Sequence, residues 1–148
     1  MPALPKNHFM KYILQFLTLS VILYACRPSP APRDLSGCYQ MVTGKDTAML
    51  SLNHEGDTVT GSLSYHWYEK DNNEGSFRGV IKNDSLIVAH YNFQSEGITS
   101  VRQIVFKVRG EELLQGYGEI RMKNDTAFFR DVDLVIFDTK HPFQKNCP

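Results

Sequence analysis

Six residues able to handle a charged or polar group cluster at two predicted turns: Glu69, Lys70 and Asp71 at the first, Glu96, Ser100 and Arg102 at the second. A guanidinium is a planar fork of donors suited to a carboxylate or phosphate, so Arg102 is the natural holder of an anionic head group. Alternate residues of an extended chain share one face, which sets Tyr65 and Trp67 beside Glu69 and sets Ser100 and Arg102 in line with Phe106. Tyr65, Trp67 and Phe106 would then line the apolar body of a small amphipathic ligand, with Glu69, Glu96, Ser100 and Arg102 at its polar end. The ordinary reading of the same residues is an Arg102–carboxylate pair that seals one end of a solid domain, whose rim meets an envelope protein instead of a ligand. Interior space separates the two: a cavity of about 300 Å³ or more beside Arg102 favours a ligand, and a filled interior favours the second reading.

Nothing in the chain assigns a catalytic residue. Glu69 and Glu96 are the one conceivable carboxylate pair, but the spacing neither raises the pKa of one nor sets a nucleophile beside the other. His54, His66, His90 and His141 are scattered singly, without a close-spaced ligand pair, so no metal and no cofactor is expected. The 16 basic and 16 acidic residues cancel, which leaves no basic field for nucleic acid.

Cysteine usage points to the cell envelope. Lys6, His8 and Lys11 precede an uncharged run, Tyr12 to Tyr24, whose 13 residues would span only about 20 Å as a helix, short of a hydrocarbon core of about 30 Å. That is a cleaved targeting segment over residues 1–25, and Met10-Lys11 followed directly by the apolar run makes a complete signal starting at Met10. The segment closes with Leu23-Tyr24-Ala25-Cys26, which resembles the bacterial lipobox, with Tyr24 bulkier than usual. The resemblance implies diacylglycerol on Cys26 and a lipid anchor in the membrane. Residues 26–35 read as the lipidated cysteine and a tether, because Pro28, Pro30 and Pro32 impose an extended polyproline II course; Arg27 to Asp34 would reach roughly 25 Å. Arg27 and prolines follow Cys26 where an acidic surface-export signal would stand, so the periplasm-facing side of the outer membrane is favoured. Cys38 and Cys147 remain, at the two ends of the mature domain in an oxidising compartment, and are expected to form a disulfide; the alternative is two inert thiols.

The elements that must position these residues are strands. From Gly37 onward, turn residues recur every 8 to 15 positions between alternating runs: Cys38 to Val42, Thr47 to Asn53, Thr58 to Glu69, Ser76 to Lys82, Ser85 to Gln94, Ile98 to Arg109, Leu113 to Lys123 and Thr126 to Phe129, with Leu134 to Phe137 as a ninth. Eight or nine sequential antiparallel strands would leave exposed edges if flat, so residues 36–148 are expected to close into an all-β, small up-and-down, lipocalin-like barrel, as a monomer. In such a barrel the hairpins after the third and fifth strands open at the same end, which gathers the six polar residues at one rim. Leu114, Gly116, Gly118, Ile120 and Met122 share a face of the seventh strand, where the glycines give curvature or space.

Tyr68-Glu69-Lys70-Asp71-Asn72-Asn73-Glu74-Gly75, Phe93-Gln94-Ser95-Glu96-Gly97, Ser100-Val101-Arg102 and Gly116-Tyr117-Gly118-Glu119 carry a further resemblance. From Gly37 to Cys147 the chain resembles uncharacterised lipoproteins of the Bacteroidota type with a lipocalin-like barrel, which implies topology and compartment and no activity. Finally, Asp46-Thr47-Ala48, Asp57-Thr58-Val59, Asp84-Ser85-Leu86 and Asp125-Thr126-Ala127 repeat one triplet. Turn chemistry generates such triplets, and they also resemble the O-glycosylation signal of Bacteroidota envelope proteins, with Thr47, Thr58, Ser85 and Thr126 as the acceptors.

Overall fold

Short polar turns throw the alternating runs back on one another as hairpins, in a computed structural model that describes residues 33–70 and 72–146. The targeting segment, Met10, Cys26, the prolines of the tether, Asp71 and Cys147 lie outside the described residues. Strands β1 (Gly37–Thr43), β2 (Asp46–Glu55), β3 (Thr58–His66), β4 (Asn73–Lys82), β5 (Leu86–Ser95) and β6 (Ile98–Arg109) pair antiparallel in sequence order. Glu96 and Gly97 both take positive φ, 50° and 77°, and so supply the two-residue turn between β5 and β6 whose twist matches the flanking strands.

After β6 come β7 (Glu112–Tyr117), β8 (Ile120–Lys123), β9 (Thr126–Phe129), a 3-10 turn (Val132–Leu134), β10 (Ile136–Phe137) and β11 (Phe143–Gln144). β7 pairs with β6, β11 pairs with β7 through Phe143 and Leu113, and Gln144 of β11 faces Gln40 of β1. The ring β1 to β7 plus β11 is therefore a closed, antiparallel, eight-stranded barrel of the lipocalin-like kind.

The last third of the chain departs from the expected course. The run Leu113 to Lys123 is not one strand: it breaks at Gly118-Glu119 into β7 and β8. Thr126 to Phe129 is a strand but not a barrel stave, since β9 runs parallel to β6 through Val101↔Thr126 and Arg102↔Ala127, and β8 hangs on β9 as a hairpin. The cause is a mismatch of lengths. β6 has 12 residues and β7 has 6, and β7 pairs only with the second half of β6; the unpaired edge of the first half is taken by β9. Leu134 to Phe137 divides between the 3-10 turn and β10, which pairs with Tyr117 and Gly116 of β7.

Inside the barrel, Val59, Leu63, Phe77, Ile104, Phe106 and Val108 are buried, as the alternation requires, together with Tyr39, Leu50, Ile87, Tyr91 and Phe143. The end of the barrel where β1 begins is plugged by Leu35, whose carbonyl accepts the hydroxyl of Tyr39 at 2.8 Å. On β7 the inward residue is Leu113, in the core cluster, with Gln115 reaching the Tyr65 hydroxyl on the same side. Leu114 and Gly116, whose face was expected to look into the barrel, lie on the outer face instead. That outer face is covered by the C-terminal segment: Val105, Leu114 and Val135 are buried, and a Cβ on Gly116 would strike Val135 Cγ1 and come within 3.2 Å of Phe137 Cε1. The glycine thus admits a covering segment instead of opening an inner pocket. Ile120 and Met122, on β8, are exposed.

Candidate functional site

Residues two apart on one strand stack their rings, and two such ladders meet at the upper end of the barrel. Tyr65 and Trp67 of β3 and its exit lie 5.3 Å apart and 8° from parallel; Tyr91 and Phe93 of β5 lie 4.9 Å apart at 11°. Glycine on the strand between lets them meet: Gly75 of β4 stands in register with both Leu63 and Phe93, and the Tyr91 hydroxyl donates across to the Leu63 carbonyl at 2.7 Å. Tyr65 meets Tyr91 edge-on at 6.4 Å.

Into this aromatic corner β6 delivers Arg102. Its guanidinium carbon lies 5.7 Å from the Tyr65 ring, 5.6 Å from Tyr91 and 5.1 Å from Phe93, all within cation–π range. Burial pushes the Tyr91 hydroxyl up to about 12 and Tyr65 higher still, while the positive charge of Arg102 pulls both down. Burial, with the charge of Asp138, also raises Tyr117, again against Arg102. No described carboxylate lies within ion-pair distance of Arg102, and its Nε is enclosed without a hydrogen-bond partner. A second orphan stands close by in the fold. Gln115, buried at 8% exposure, donates through Nε2 to the Tyr65 hydroxyl at 2.8 Å and leaves its Oε1 enclosed and unpaired. Enclosed polar atoms without partners each cost about 1 to 3 kcal/mol, so two at one place call for a physical account.

The account lies in the wall. Where β6 parts from β7, a cavity of about 210 Å³ opens between Arg102, Gln103 and Ile104 on one side and Gln115 to Gly118 on the other. Ile120, Ala127 and Phe129 of the β8–β9 hairpin cover it, held by the Phe129 amide on Gln103 Oε1 at 3.1 Å. Both orphan-bearing residues line this cavity.

The residues singled out in the sequence therefore divide. Tyr65, Trp67 and Arg102 converge, and Ser100, half-buried, sits opposite Phe93 in register. Glu69 and Glu96 are exposed turn residues with φ of 56° and 50°, and neither pairs with Arg102. Glu69, expected to continue the face of the third strand, instead lies beyond the end of β3 with positive φ, whereas Glu96 sits in the turn where it was expected. Phe106 lies deeper, 1% exposed and edge-on to Phe143 at 5.5 Å, where it fills the barrel and lines no ligand space. The expected axial chamber is occupied by side chains, and the space beside Arg102 is lateral and smaller than the 300 Å³ set as the mark of a chamber. Sequence reasoning did not select Gln103, Gln115, Tyr117, Ala127 and Phe129; the one available signal was the lone Gln in the apolar run Leu113-Leu114-Gln115. Cys38 is disulfide-bonded, and β11 ends at Gln144, opposite Gln40 and three residues before Cys147. Of the triplet hydroxyls, Thr58 is exposed and Thr47, Ser85 and Thr126 are half-buried; Asp84 and Asp125 are positive-φ turn residues, in keeping with turn chemistry.

Among the described residues no group of three or more His, Cys, Asp or Glu is placed to hold a metal. No protein-family model, curated protein or solved structure matches this chain.

Proposed function

We propose that this chain is an envelope lipoprotein, anchored by lipid on Cys26 on the periplasmic side of the outer membrane, whose barrel is a monomeric binding module for a small amphipathic molecule. The observation that carries the reading is Arg102: a cation inside a ring of aromatic faces, with its Nε unpaired, fronting a mostly apolar cleft. An anionic group arriving there exchanges water for a charge-assisted hydrogen bond in a place where the protein has already given up solvation. Ile104, Ile120, Ala127 and Phe129 offer the apolar wall for the rest of the molecule. A volume of about 210 Å³ suits a head group and a few carbons, with a longer tail running out over exposed Ile120 and Met122.

Trp67, the single tryptophan, is stacked on Tyr65 and reports the site. Titration with hexanoate should change its emission in the parent protein and leave it unchanged in Arg102→Met; no response in the parent at millimolar ligand would end the reading.

A second reading rests on a different observation. Tyr117 at the end of β7, Ile120 and Met122 of β8, and Leu134 and Ile136 of the 3-10 turn and β10 are exposed apolar residues of the last third of the chain, which favours a solid barrel with a protein partner on that part of the surface. Under it, Ile136→Lys with Met122→Lys abolishes capture of an envelope protein and hexanoate never binds. Lipidation and sugar on Thr47, Thr58, Ser85 or Thr126 are read together from the intact mass of the chain from its own host. Acyl additions on a chain beginning at Cys26 support the anchor, and hexose-scale increments beyond them support glycosylation.

A further inference from the structure

We infer that the ligand of this cleft is a hydroxy carboxylate: a short-tailed acid carrying a hydroxyl near its carboxyl group, the acid read by Arg102 and the hydroxyl by Gln115. This rests on the proposed binding function and goes beyond it by specifying what the head group must contain. The two residues that line the cavity each carry one enclosed, unpaired atom, and these are of opposite kind, since Arg102 Nε is a donor and Gln115 Oε1 is an acceptor. A plain carboxylate offers acceptors only. It would satisfy Arg102 and leave Gln115 Oε1 unpaired in a site it has just sealed from water. A neutral alcohol satisfies Gln115 and leaves the cation unpaired. A head group with both an anionic oxygen and a neutral O–H satisfies the two together, and a neutral O–H is preferred to an ammonium because Arg102 already brings positive charge without a described carboxylate beside it.

Gln115 is tied to its neighbour. Its Nε2 donates to the Tyr65 hydroxyl at 2.8 Å, and Tyr65 is 1% exposed and held by its stack on Trp67, which leaves Oε1 as the unpaired end of the amide. The selectivity is thus built by Tyr65, a residue of the barrel core, acting through Gln115 as a positioning residue. The apolar wall formed by Ile104, Ala127 and Phe129 takes the chain of the acid.

The experiment is isothermal titration of the full-length protein in lipid nanodiscs, with empty nanodiscs as blank, against hexanoate, 2- and 3-hydroxyhexanoate, 2-oxohexanoate and hexane-1,2-diol. One hydroxyhexanoate should bind roughly tenfold tighter than hexanoate, the worth of one hydrogen bond to an otherwise unpaired buried atom. In Gln115→Met, which keeps the side-chain volume, that preference should vanish. Hexanoate binding as tightly as both hydroxy acids overturns the inference and leaves the binding function standing. So does tighter binding of 2-oxohexanoate, which adds an acceptor and would mean that Gln115 presents Nε2. The diol matching the acids removes the role of the charge, and failure of all five compounds overturns the binding function itself.

Discussion

The two sides of this barrel obey the same pairing rules and end differently. Around β1 to β5 every strand is matched to its neighbour over most of its length, and the residues between them, Leu50, Leu63, Ile87 and Ala89, are completely buried. At β6 and β7 the register stops halfway, the wall divides, and at the fork stand a cavity and two enclosed polar atoms without partners. Continuous register leaves little space inside the barrel, because each side chain on the inner face has a neighbour on both flanking strands; on that side lie an open groove over β4 and β5 and, among the described residues, one enclosed unpaired atom, His54 Nε2 on β2. A strand that outruns its partner makes space and strips hydrogen-bond partners at the same point, which is what a binding site needs. Function in this fold is therefore sought where the ring is least complete.

The largest test of that contrast concerns the closure that all the staves share. Cys38 is disulfide-bonded, and with Cys147 as partner the bond closes a loop of over 100 residues, worth about 4 to 5 kcal/mol in the chain-entropy view. Cys38→Ser, or reduction, should lower the denaturant midpoint of the whole barrel steeply. Two free thiols in the denatured, unreduced mature protein, or a midpoint indifferent to reductant, would show that pairing of β11 with β1 closes the ring unaided.

Next comes the filled side against the fork. Leu63→Ala, at 0% exposure, should cost about 2 to 5 kcal/mol, the range for large-to-small changes in a packed core. Phe129→Ala, half-buried in the cover of the cleft, should cost about 1 kcal/mol or less, as changes outside packed cores do. Equal losses in equilibrium unfolding would mean that the hairpin is as much a part of the core as β3 is.

How far these two regions could be read beforehand follows from the same difference. Residues 37 to 109 were legible because each strand alternates and each turn carries its own chemistry, Asn83-Asp84 and Glu96-Gly97 among them. Past Gly110 the pattern misleads. Leu113 to Lys123 alternates well enough to pass for one strand, and only the length of β6 relative to β7, a tertiary quantity, breaks it. The closing strand β11 is two residues long, too short for periodicity to register. Within the site, Tyr65, Trp67 and Arg102 were found because inward alternation and residue type suffice to place them. Glu69 was misplaced because positive φ at a turn cancels alternation, Glu96 sits in its expected turn but without an ion pair to Arg102, and Gln115 was missed because its importance lies in its hydrogen bond to Tyr65.

Arg102→Met sharpens the comparison with a smaller effect of opposite sign. Removing a half-buried cation that lacks a counter-charge among the described residues, and replacing it with an apolar chain against three rings, should leave stability unchanged or raise it by about 1 to 2 kcal/mol, even as binding is lost. A loss of more than about 2 kcal/mol in chemical denaturation would mark Arg102 as a structural plug and bring back the solid barrel.

The smallest effect is the most local. Burial raises the Tyr91 hydroxyl to about 12 from an ordinary value near 10, and raises Tyr65 in the same sense, so both rings hold their protons more tightly folded than unfolded. A group whose folded pKa is raised contributes its full stability below the unfolded value and loses it as pH climbs towards the folded one. The barrel should therefore weaken between about pH 10 and about pH 12, and phenolate absorbance should show a late fraction that appears only as the fold gives way. Arg102 opposes burial at both rings, because its charge favours the phenolate. In Arg102→Met the late fraction should move to still higher pH, whereas Leu35→Val, at the plugged end, should leave it in place. An unchanged titration in Arg102→Met would mean that water screens the guanidinium from both rings, and the cleft would then be too wet for one charge to select its ligand.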